Sequence, residues 1–93
     1  MFENIMMQYA ANMFVKTQDN DIQDMILIDN MSKLTKALTQ HQNKNTEQTR
    51  KDLTKAITDV LLSTEIVRQI FGVSEEDIQQ ECLSKIISNG WLK

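Results

Sequence analysis

Ninety-three residues contain no proline and only two glycines, Gly72 and Gly90. These residue types are the strongest interrupters of regular backbone, so almost the whole chain is free to run as long elements with short connections. Apolar spacing decides which element. Apolar residues recur at steps of three and four nearly throughout, and few stretches alternate as a half-buried strand would. The chain is therefore expected to be all-α, with four antiparallel helices over about 2–16, 21–42, 47–71 and 75–89 forming one bundle.

The helix ends are written in the polar residues. Phe2, Ile5, Met6, Tyr9, Ala10, Met13 and Phe14 make the stripe of the first helix. Asp19-Asn20-Asp21 is an N-cap cluster for the second, whose core side carries Ile22, Met25, Ile26, Met31, Leu34 and Leu38, widened by Leu27 and Ile28. Asn45 or Thr46 caps the third, with Leu53, Ile57, Val60, Leu61, Thr64, Val67 and Phe71 on its stripe, and Gly72 supplies a left-handed stop. Ser74-Glu75-Glu76-Asp77 opens the fourth as a capping-box variant, with acids at the positive end of the helix dipole. Ile78, Cys82, Leu83, Ile86 and Ile87 form its apolar face. Gly90 closes it, with Trp91 placed to pack back onto the last turn.

A chain of this size makes one domain, 1–93, and buries only roughly 60–65% of its unfolded surface. A dimer would enlarge that core. Net charge is −3 with both signs interspersed, which disfavours nucleic acid as a partner. The single cysteine, Cys82, excludes an internal disulfide and suits a reducing cytoplasm. No apolar run approaches the roughly 20 residues that span a bilayer, and the first residues lack the basic start of a signal peptide. A cytoplasmic protein without a membrane partner is expected.

Common catalytic signatures are missing. Two glycines cannot build a phosphate-cradling loop, and neither a Gly-x-Ser-x-Gly turn nor zinc-ligand spacing occurs. The sole histidine, His41, lies in a polar helix end and reads as solvated.

The helices themselves carry a resemblance. Ile28-Asp29-Asn30-Met31-Ser32-Lys33-Leu34-Thr35-Lys36-Ala37-Leu38 resembles the I-E-E-x-x-E-L-x-K-A-L helix of the MazG-like all-α nucleotide pyrophosphohydrolases. Lys55-Ala56-Ile57-Thr58-Asp59-Val60-Leu61-Leu62 is similar to that family's E-E-x-x-D-V-L segment. Ile70-Phe71-Gly72-Val73-Ser74-Glu75-Glu76-Asp77-Ile78 resembles its helix-turn-helix exit, and Lys85 falls where its last helix often carries a lysine. The likeness covers nearly the whole chain. It implies a homo-oligomer, most simply a dimer, and a cage of four carboxylates that holds magnesium against a nucleoside triphosphate. A hard cation needs such oxygen ligands.

Carried over position by position, the cage is dismantled. The first glutamate falls on Asn30, a neutral oxygen donor. The second falls on Lys33, an ammonium without a lone pair. The third falls on Ala56, which offers nothing, and only the fourth, Asp59, remains a carboxylate. Asp29 points about 100° around the helix from Asn30 and is a poor substitute. An empty carboxylate cage is strained by like-charge repulsion, so Lys33 is expected to act as a built-in counterion for Asp59 across the two helices.

The resemblance and its losses together imply a non-catalytic MazG-like protein that acts by protein–protein binding, with itself and with another protein. Small size and a lost site fit a regulator or inhibitor encoded by a phage or other mobile element. Catalytic residues, metal and cofactor are then none. Two other readings stay open. A magnesium-dependent nucleoside triphosphate pyrophosphohydrolase would need acids such as Asp29, Asp52 or Asp59 to rebuild a metal site. A metal-independent nucleotide-binding protein would contact phosphates through Lys33, Lys36 and Lys85.

Overall fold

The computed structural model describes residues 6, 8–12 and 20–90. Among them the protein is an all-α bundle without a strand. Residues 6 and 8–12 are helical, and Ala10 is fully buried. The rest of the expected first helix, the capping role given to Asp19, and the packing of Trp91 lie outside the described residues. Three long elements follow: α1 (Asn20–Asn43), α2 (Glu47–Ile70) and α3 (Glu75–Ser88). Each boundary falls within a residue or two of its expected place.

Local chemistry explains the ends. Thr46 has extended backbone and its hydroxyl accepts from the amide of Thr49, while the Thr49 side chain accepts from the amide of Thr46. This reciprocal capping box uses threonine where glutamate or glutamine is usual. Gly72, at φ 67°, and Gly90, at φ 71°, supply the left-handed residues after α2 and α3 that a side chain would resist. Ser74 caps α3 by accepting from the amide of Asp77.

α1 and α2 form an antiparallel hairpin. His41 meets Thr49 next to the turn, and Asn30 meets Ser63 some three turns away. The short Lys44–Thr46 connection permits no other arrangement. Ala37 and Ala56 are buried between the helices, and their small side chains let the two backbones approach. Among the described residues Ile66 is the one large side chain that is fully buried, at 1% exposure.

Two expectations fail. His41 is half-buried, not solvated: its Nδ1 lies 2.8 Å from Thr49 Oγ1, so the ring braces the α1–α2 turn. Periodicity places such a residue on a helix face but does not say what stands opposite. The apolar face of α3 was expected in the core. Ile78, Cys82, Leu83 and Ile87 are exposed instead, and no residue of α3 is buried. Among the described residues α3 packs on neither α1 nor α2. Several of the apolar residues of α1, Met25 and Met31 among them, are also exposed.

Candidate functional site

One open hollow of about 220 Å³ lies along the α1–α2 seam, lined by Lys33, Ala37, Asp52, Lys55, Ala56 and Asp59. Lys33, Ala56 and Asp59 are three of the four positions singled out above. Lys33 and Ala37 sit one turn apart on α1, and Asp52, Ala56 and Asp59 follow one another at steps of four and three on α2, so each helix turns these residues to the same side.

The fourth position, Asn30, adjoins the hollow but works between the helices. Its amide Nδ2 donates to Ser63 Oγ at 2.6 Å and to the Asp59 carbonyl oxygen at 3.3 Å, and the Ser63 hydroxyl in turn donates to that carbonyl at 2.7 Å. Ser63 is buried, so the three-membered network supplies partners to polar atoms shut off from water. Asn30 thus fastens α1 to the backbone of the residue that keeps the surviving carboxylate.

The expected ion pair between Lys33 and Asp59 is not made. Lys33 Nζ instead lies 2.9 Å from Asp29 Oδ2, one turn back on its own helix. The hydrogen bond and charge of Asp29 raise the Lys33 pKa, and Asp59 adds only a lesser attraction. The physical reason is local. An i, i+4 Asp–Lys pair forms without crossing between helices, and both side chains stay in water. Asp29, discounted as a ligand substitute, is therefore the residue that holds Lys33.

The donor set decides what the hollow can hold. Two carboxylates, Asp52 and Asp59, face two ammonium groups, Lys33 and Lys55, so the lining is balanced in charge. Ala56 is buried, and a carboxylate there would itself need desolvation. Among the described residues no group of three or more histidine, cysteine, aspartate or glutamate side chains is close enough to share a metal. Magnesium, with its demand for clustered hard oxygens, does not fit this lining.

The other candidate positions do not converge here. Lys36 is not part of the lining. Lys85 stands on α3, exposed, with Nζ 3.8 Å from Glu81 Oε1. Sequence reasoning missed Lys55 and Ser63. Ser63 follows Ala56 by seven residues and Asp59 by four, so its place on the same face was available from helical spacing. Lys55 follows Asp52 by three and precedes Asp59 by four, so the same spacing was available for it.

Among the described residues no helix is long and apolar enough to cross a membrane. Compared with protein-family models, curated proteins and solved structures, the chain matches none of them.

Proposed function

We propose that this chain is a non-catalytic protein of MazG-like design that works by binding other protein surfaces, in the manner of a small regulator or inhibitor from a phage or other mobile element. One observation carries the reading. Where the resemblance calls for a carboxylate cage, the hollow offers a paired lysine, a buried alanine methyl and a single surviving aspartate, while the asparagine is spent on holding the helices together. The wide exposed apolar surface of α1 and α3 supports a role in binding, because monomeric proteins rarely keep such surface without a partner.

A second reading keeps catalysis. Asp52 lines the same hollow as Asp59, which gives the pair of acids from which a rebuilt site would start. A phosphate-release assay with magnesium and a panel of nucleoside triphosphates separates the two. The binding reading expects no turnover above buffer. Turnover abolished by both Asp52→Asn and Asp59→Asn overturns it in favour of a rebuilt hydrolase.

A further inference from the structure

Asn89 is the only asparagine of the chain that is followed by glycine. Both residues are exposed at the C-terminal end of α3, with Asn89 as its C-cap at φ −86° and ψ −1° and Gly90 at φ 71°. A side chain at Gly90 would meet no neighbouring atom within 4 Å among the described residues, which leaves this peptide bond open to solvent. Two hydrogen bonds hold its reactive groups. Asn89 Nδ2 donates to the Lys85 carbonyl oxygen at 2.7 Å, and the Gly90 amide donates to the Ile87 carbonyl oxygen at 3.0 Å.

We infer that Asn89–Gly90 is a modification site, at which the chain converts its own asparagine to aspartate or isoaspartate when the last turn of α3 opens. Asparagine is a thermolabile residue, and its side-chain amide carbon lies within reach of the next backbone nitrogen. The Gly90 nitrogen gives up its proton to solvent base and attacks Asn89 Cγ. A nitrogen–carbon bond forms, the bond from Cγ to Nδ2 breaks, and Nδ2 leaves as ammonia with the proton returned by solvent. The product is a five-membered succinimide. Water then adds to either ring carbonyl and opens it, to aspartate at one and isoaspartate at the other. The only co-reactant is water, and nothing is oxidised or reduced. Glycine permits the attack because it sets no Cβ beside the nucleophile and allows backbone angles that other residues resist.

The fold sets the rate. In the closed turn the nucleophile is spent on Ile87 and the leaving group on Lys85, so both bonds must break before the reaction starts. Opening is local and easily reached: among the described residues α3 packs on neither helix of the hairpin, and helix ends open far more often than packed cores. The product also acts on the fold. A carboxylate cannot donate to the Lys85 carbonyl as Asn89 Nδ2 does, and it places negative charge at the negative end of the helix dipole. Isoaspartate further adds a backbone atom between residues 89 and 90. Modification therefore loosens the turn that carries Ile87, part of the exposed apolar surface of α3. None of this depends on the binding role proposed above.

Peptide mapping by mass spectrometry tests it, on the full chain held at neutral pH and physiological temperature for weeks. An unstructured peptide of residues 86–93 supplies the ungated rate. Conversion at Asn89 in the wild type is expected to run at least ~5-fold slower than in the peptide, because two hydrogen bonds must first be lost. Ile87→Pro breaks the last turn of α3 at an exposed position, so the hairpin stays folded, and conversion should rise to the peptide's rate. Conversion absent from both this variant and the peptide overturns the site. A wild-type rate equal to the peptide's, or unchanged by Ile87→Pro, overturns the gating. Hydrogen exchange on Asn89→Asp tests the consequence. The amides of the last turn of α3 should exchange about 5-fold faster than in the wild type, with α2 unchanged, and equal exchange in that turn overturns the proposed loosening.

Discussion

The α1–α2 hairpin and α3 are equally helical but are held in opposite ways. α2 and α3 have equivalent ends: a hydroxyl N-cap at Thr46 or Ser74, acids in the first turn, a basic residue in the last, and a left-handed glycine just beyond. Among the described residues only the hairpin adds contacts between helices, with Ala37 and Ala56 buried and Asn30 tied to Ser63. α3 buries nothing. Caps and dipoles are worth of order 1 kcal/mol each and fix where a helix begins and ends. They do not dock it against anything. Isolated helices of about 14 residues are marginal in water, so α3 depends on its caps in a way that the hairpin does not.

That contrast can be broken by substitution. The largest effect is expected at Ile66, the fully buried large side chain of α2. Ile66→Ala should destabilise the fold by about 2–5 kcal/mol in denaturant titration. A loss below about 1 kcal/mol would mean that the hairpin is no better packed than α3. Next comes the network between the helices. Asn30→Ala removes the donor to Ser63 and to the Asp59 carbonyl and should cost about 1 kcal/mol. Asn30→Asp, which replaces that donor with an acceptor, should cost more. At the hairpin's exit, Gly72→Ala meets no neighbouring atom but must hold a positive φ, and about 1 kcal/mol is expected from that strain alone.

The ion pair between Glu65 and Arg68 gives a pH dependence. Hydrogen bonds from Arg68 hold the Glu65 carboxyl below its usual range, against the opposing effect of burial. A carboxylate with a depressed folded-state pKa stabilises fully above its unfolded pKa, and loses that contribution as pH falls through the folded value. Acid titration of the wild type against Glu65→Gln should therefore show the two stability curves converging only in the acid range, below the ordinary carboxylate pKa. Curves that stay parallel through that range would remove the pair from the account. The smallest global effect belongs to α3. Ser74→Ala should lower amide protection in α3 by about 1 kcal/mol and leave the exchange of α2 unchanged. A matching loss in α2 would show the two regions to be coupled.

The sequence was legible where the physics is local. The polar turn before α2, the caps and the glycine stops all lie within a few residues of the helix they end: of the two candidate caps Asn45 and Thr46 the structure uses Thr46, Ser74 caps α3 through its hydroxyl, and Gly72 and Gly90 stand as the expected left-handed stops. The site was legible in part. Spacing gave each pair one side of its own helix, the resemblance implied that Lys33, Ala56 and Asp59 meet, and the hairpin does bring these three to one hollow. The pairing within it was misread, because Lys33 takes the carboxylate one turn away, Asp29, over one on the neighbouring helix. His41 was misread for the converse reason: its partner, Thr49, belongs to the next helix, and a polar neighbourhood in sequence gave no hint of it.

By itself, the sequence determined that this protein is helical and where α1, α2 and α3 start and stop. Those follow from backbone freedom, capping and a fixed angle per residue, all of which act over a few positions. Tertiary structure alone decided which apolar stripes are covered. An apolar face is a demand for a partner and does not specify one, so α2 closes on α1 around two buried alanines while α3, with Ile78, Leu83 and Ile87 exposed, remains open to water.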